Sequence, residues 1–138
     1  MSKSLSVLAW LRLARVFQKI DRASEVHLRA WDLNVAQFDV LAQVGSAKGI
    51  TQQELADRLL VTKGNISQLL DRLERRGLIK RSQEGRTNVL CLTEAGQRLY
   101  TEVVPAQEDM VAGHFSSLPE EEQKQLLALL RKLDQAIH

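Results

Sequence analysis

Residues 62–76 read TKGNISQLLDRLERR, and their side chains fall into two sets at helical spacing. Ile66, Leu69, Leu70 and Leu73 recur at i, i+3, i+4 and i+7, the apolar stripe of a helix packed on its own domain. Lys63, Asn65, Ser67, Gln68, Asp71, Arg72 and Arg75 are left for other work. Side-chain amides such as those of Asn65 and Gln68 match the paired donor and acceptor of adenine, and a lysine matches guanine O6 and N7. Hydroxyls and helix N-terminal amides suit phosphate oxygens. This is the chemistry of a helix laid in the major groove of duplex DNA. Lys63, Asn65, Ser67 and Gln68 would meet base edges, and Thr62, Arg72 and Arg75 would meet phosphates. Gly64, in the first turn, costs about 1 kcal/mol of helix propensity relative to Ala. Close approach of backbone to DNA and simple tolerance near a helix end explain it equally well.

A second constellation follows the helix stop at Gly77. Residues 78–81 and 89–92 read as strands, and the connection from Ser82 to Thr87 is polar, with Gly85 able to take a positive φ. A hairpin tipped by Arg86 and Thr87 can bring a guanidinium to the minor groove, where narrow A·T stretches carry enhanced negative potential. A solvated surface arginine is the alternative for Arg86, and its position after the helix pair argues against that. Charge supports the same region. Residues 58–86 hold eight Lys/Arg against three Asp/Glu, although the whole chain carries only +2. Residues 94–138 have the opposite balance, four basic against eight acidic. Such clustering is a footprint of phosphate binding, weak when taken alone because solvated helix faces are often basic.

The positioning elements are helical. Apolar residues Trp10, Leu13, Ala14, Phe17 and Ile20 predict one long helix from about residue 5 to 30, without Gly or Pro. A second helix should span about 35–44, capped by Asn34 and stopped by Gly45, with Phe38, Leu41 and Ala42 inward. Thr51-Gln52-Gln53-Glu54 is a capping box opening a third helix, whose inner face is Leu55, Ala56 and Leu59. Thr62 would cap the fourth. Thr93 would cap a helix running to about residue 114, with Pro105 predicting a kink or break. Ser117-Leu118-Pro119-Glu120 has the form of another capping box, opening a last helix to about residue 137 with Leu126, Leu127, Leu130 and Leu133 as its stripe. The fold class is therefore mainly α with a small β wing. It comprises a winged helix-turn-helix lobe at about 35–93 and helical regions at about 1–34 and 94–138, in a single domain of 138 residues.

The run QQELADRLLVTKGNISQLLDRLERRGLIKR, followed by EGRTNVLCLTEAG, resembles the MarR family of bacterial winged-helix regulators across nearly the whole chain. The most specific pieces are LDRLERRGLI and LTEAG. That family's wing usually carries Asp-x-Arg, where this chain has Glu84-Gly85-Arg86. The resemblance thus carries over Arg86 as the wing contact, leaves Glu84 as a looser orienting partner, and places Arg72 near the wing and DNA backbone. It also implies a homodimer built from the first and last helices, acting as a repressor or, less often, an activator. The apolar residues of the first helix on more than one face and the LLALL run at 126–130 support the dimer independently. An ordinary intrachain core is the alternative for those leucines. A twofold dimer would read a pseudo-palindrome with half-sites about one helical turn apart. Family members commonly respond to a small aromatic acid or to oxidation, and Trp10, Arg15, His27 and Trp31 are candidates to line such an effector crevice. A structural role is the alternative for each.

Other classes find less support. His27, His114 and His138 are scattered, and no HExxH, GxSxG or phosphate-cradling glycine motif occurs, so neither catalysis, metal nor cofactor is expected. Cys91 is the sole cysteine and reads as a packed small hydrophobe in a strand, with a redox-sensing thiol as the alternative. No stretch approaches the roughly 18–20 apolar residues of a membrane span. The N-terminal MSKSLSVLAWLRLAR is too interrupted by Lys and Arg for a secretory signal, so a cytoplasmic protein with no membrane partner is expected. The competing functional class is a winged helix used for protein contacts.

Overall fold

The computed structural model describes residues 4–60 and 63–138. Its elements run α1 (Leu5–Leu28), α2 (Val35–Ser46), β1 (Ile50–Thr51), α3 (Gln52–Leu59), α4 (Lys63–Arg75), β2 (Ile79–Glu84), β3 (Thr87–Leu92), α5 (Glu94–Gly113) and α6 (Glu120–Ala136). A small antiparallel sheet in the order β1-β3-β2 completes a mainly helical fold; the residue pattern predicts the helical class and the β2–β3 hairpin, and β1 is an addition to it.

Local chemistry sets most boundaries. Asn34 caps α2 and Thr51 caps α3, each with the reciprocal box: Asn34 Oδ1 accepts from Gln37 N at 2.8 Å, and Thr51 Oγ1 accepts from Glu54 N at 3.1 Å. Thr93 caps α5 by accepting from Gly96 N at 3.0 Å. Thr62, the expected cap of α4, lies outside the described residues, as do the side chains of Lys63 and Glu84.

Five expectations need correction. The first helix stops at Leu28 and tightens into a 3-10 turn, Arg29–Trp31, that ends on Asp32 in the left-handed region (φ 55°). Gly45 does not stop α2, which continues through Ser46. A Cβ at Gly45 would run into the Tyr100 ring, so this glycine admits α5 rather than ending a helix. Of the kink or break expected at Pro105, the break does not occur, since α5 runs on from Glu94 to Gly113. Ser117 does not cap α6: Pro119 holds the cap position without a side-chain bond, and Gln123 Nε2 reaches back to the carbonyls of Phe115 and Leu118. Finally, the wing strands are longer than expected. Ile79↔Leu92 pairing continues to Glu84↔Thr87, leaving Gly85 and Arg86 as a two-residue turn.

The core has two joined parts. Val40, Val44, Ile50, Leu55, Ile66, Leu70, Leu73 and Leu90 form the larger cluster beneath α3, α4 and the sheet. Leu28, Leu33, Leu41, Val103 and Val104 form a second between α1, α2 and α5. Helix α2 feeds both, with Val40 and Val44 in one and Leu41 in the other, and Leu92 and Leu99 pack on both. The fold therefore couples the small sheet to the long helices through one shared element. The two ends differ. Helix α6 buries none of its residues, α1 buries only Ser24 and Leu28, and Trp10 (63% exposed) and Leu129 (66%) project into solvent. Among the described residues no helix is long and apolar enough to cross a membrane.

Candidate nucleic-acid interface

Helix α4 is held by Ile66, Leu70 and Leu73, all fully buried, with Leu69 half-buried beside them. Truncating one such leucine to Ala typically costs about 2–5 kcal/mol, so this face fixes the orientation of the helix. At about 100° per residue, the opposite face carries Gly64, Gln68, Asp71, Arg72 and Arg75, with Asn65 and Ser67 on its flanks. Asn65, Gln68, Arg72 and Arg75 are exposed. Ser67 is half-buried and accepts from Gln52 Nε2 at 2.9 Å. Arg75 leans back along the helix, its Nε donating to the Asp71 carbonyl at 3.3 Å. Among the described residues a Cβ at Gly64 would meet nothing within 4 Å, so their packing does not require glycine there.

The wing stands beside this helix. Gly85 takes φ 61°, whereas Arg86 is not among the residues with positive φ. These signs are those of a II′ hairpin turn, in which glycine at the first central position matches the twist of the strands. Gln83 Nε2 closes the turn on the Gly85 carbonyl at 2.8 Å. Arg86 and Thr87 are exposed at the tip, and six residues of strand carry it roughly 20 Å from the base.

Three contacts escaped the sequence reading. Arg81, counted within the basic cluster, turns onto α4: its Nε lies 2.8 Å from Glu74 Oε1 and its Nη2 3.4 Å from Asp71 Oδ1. This ties β2 to α4 and sets the wing against the helix. Arg76, though exposed, is likewise engaged within the chain, its Nη1 donating to the Asp32 carbonyl at 2.7 Å and its Nη2 to that of Trp31 at 3.4 Å. Gln52, in the first turn of α3, bridges to Ser67. The outward basic surface is consequently smaller than the count suggests. The acidic residues seven and ten positions before Arg81 were the available signal, but nothing in the spacing shows which cation they engage.

The candidate effector residues separate within one chain. His27 and Trp31 meet edge to face at 5.1 Å between ring centroids. His27 Nδ1 lies 2.8 Å from Gln107 Oε1, Gln107 Nε2 donates to Ser24 Oγ at 2.9 Å, and Trp31 Nε1 donates to Glu102 Oε1 at 3.0 Å. These bonds brace α1 and the following turn against α5. Trp10 and Arg15 are exposed farther up α1, about 26 Å and about 18 Å from His27 at 1.5 Å per helical residue. Cys91 is half-buried in β3, across from Lys80. Among the described residues no group of three His, Cys, Asp or Glu side chains is placed to hold a metal ion.

A helix pair followed by an arginine-tipped hairpin, on a core shared with long flanking helices, defines a winged helix-turn-helix protein. Comparison narrows the class. Residues 31–86 match the model of the MarR family. The chain is 40% identical over 131 residues to an HTH-type transcriptional regulator of Bacillus cereus, spanning 94% of this chain and 89% of that relative. Among solved structures it is similar to the S. aureus MepR–DNA complex (26% identity, TM-score 0.83, 99% of this chain and 100% of that one). It is also similar to a putative MarR family transcriptional regulator from Listeria monocytogenes complexed with a 26mer DNA (26%, TM-score 0.83, 99% and 90%). The chain belongs to the MarR family of transcriptional regulators.

Proposed function

We propose that the protein binds operator DNA as a homodimer and represses transcription in the cytoplasm, releasing DNA when a small molecule binds. The observation that carries this reading is the exposed polar face of α4 lying beside a hairpin with Arg86 at its tip. Lys63, Asn65, Ser67 and Gln68 read base edges in the major groove, Thr62, Arg72 and Arg75 hold phosphates, and Arg86 with Thr87 enters the minor groove, supported by Glu84. The DNA complexes among the similar structures favour the same partner. Dimerisation is supported by the apolar ends. Leu5, Leu8, Trp10, Leu127, Leu129 and Leu133 are all exposed on α1 and α6, and a second copy offers the same surface to cover them.

Selection of bound sites from random duplexes tests the proposal. The expected product is a pseudo-palindrome with half-sites about one helical turn apart. Asn65→Ala and Gln68→Ala should relax preference at particular positions of each half-site. Recovery of no enriched sequence would refute the reading role of α4.

A further inference from the structure

A cleft of about 550 Å³ opens between α1, α2 and α5. Its apolar wall includes Phe17, Phe38 and Phe115, and three carboxylates, Asp21, Asp39 and Glu108, face it. No Lys, Arg or His is among its lining residues. The neutral polar groups at its wall are already engaged, since Gln107 and Ser24 bond to each other and Gln107 also holds His27. Neither Asp21 nor Asp39 has an ion-pair partner among the described residues. Burial, and then the nearby Asp21 charge, push the Asp39 carboxyl above its ordinary value. A cation between the two would relieve both causes. An aromatic acid, the effector type the family resemblance implies, would add a further negative charge where no Lys, Arg or His stands among the described lining residues.

We propose that this cleft binds a small organic cation with an aromatic body, its charge held by Asp21 and Asp39 and its rings by Phe17, Phe38 and Phe115. Cation–π attraction to the phenyl faces acts in the same direction as the carboxylates. The cleft is well placed to matter, because it touches α2, which also packs under α3 and α4. An occupant that fits one arrangement of these helices better than another shifts their equilibrium. The inference rests on the proposed effector-responsive regulator and names the chemistry of its effector.

Two probes share one shape and differ in sign: tetraphenylphosphonium and tetraphenylborate. Calorimetry on the full-length protein should show the phosphonium binding at least tenfold more tightly than the borate. The Asp21→Asn/Asp39→Asn double variant should lose at least tenfold in phosphonium affinity while keeping the circular dichroism of the native protein. If the double variant does not fold, Asp39→Asn alone is used, with wild-type affinity expected to rise with pH as Asp39 ionises. Equal or tighter binding of the borate, or unchanged phosphonium affinity in the Asn variants, would overturn the proposal. Binding of a random-sequence duplex, measured on the same preparations without either probe, is a separate readout. Its absence refutes the underlying regulator reading, whereas a DNA-binding protein that ignores the phosphonium refutes the cleft inference alone.

Discussion

Gly96→Ala separates packing from propensity. Gly96 is buried in the first turn of α5, where a Cβ would collide with the Leu78 carbonyl oxygen and lie 3.0 Å from its carbon. That oxygen is not free to move, because it accepts from Thr93 N at 3.0 Å, and Leu78 N is itself held by Leu73 O at 3.0 Å. Helix propensity alone favours Ala by about 1 kcal/mol. Against it stand overpacking on a fixed backbone, about 1–3 kcal/mol, and weakening of the Thr93–Leu78 bond, about 1 kcal/mol. The net is a destabilisation of about 1–3 kcal/mol, to be read by urea unfolding. Gly113→Ala is the control: it sits at the other end of α5, where a Cβ would meet nothing, and should be neutral or stabilising by up to about 1 kcal/mol. A Gly96→Ala protein as stable as wild type would refute the close-approach argument and, with it, the account of how α5 is seated on the base of the wing.

Arg86→Ala should weaken duplex binding about tenfold or more while leaving the melting temperature unchanged, because its side chain is exposed at the hairpin tip; anisotropy and calorimetry check the two halves. Leu60→Gly should stabilise by about 0.5–1 kcal/mol in urea unfolding. Leu60 is 92% exposed at φ 53°, so relief of left-handed strain outweighs the entropy of glycine. Asp39→Asn should raise stability at neutral pH. The Asp39 carboxyl titrates above its unfolded value, so its charge opposes folding above the folded pKa, and that penalty fades as pH falls toward about 4. The stability difference between variant and wild type, followed by thermal melts, should shrink over that fall; a difference independent of pH would contradict the assignment.

Local chemistry made much of the fold legible. The capping residues Asn34, Thr51 and Thr93 mark helix starts because a side-chain oxygen and an amide three residues on suffice to specify the geometry. The stripe Ile66, Leu70, Leu73 shows which side of α4 is inward for the same reason. Where a distant residue decides, spacing failed. Gly45 looks like a stop until Tyr100 is seen against it, and Ser117 looks like a cap until Gln123 is seen holding the carbonyls. The basic cluster was legible as composition but not as surface. Arg76 and Arg81 are engaged by the turn at Asp32 and by Glu74, contacts spanning 44 and 7 positions in the chain. The cleft acids Asp21 and Asp39 lie on different helices, and only the packing of α1 on α2 brings them to one wall.

The central claim is that α4 and the wing hold duplex DNA, and its most direct test is a salt titration of duplex binding by fluorescence anisotropy. Several Lys/Arg–phosphate contacts in each half of a dimer should make the logarithm of affinity fall linearly with the logarithm of salt, by about 0.9 for each phosphate neutralised. Arg72→Ala or Arg75→Ala, each removing one contact per subunit, should flatten that slope measurably. No binding to any duplex at low salt, or a salt-independent affinity, would contradict the account.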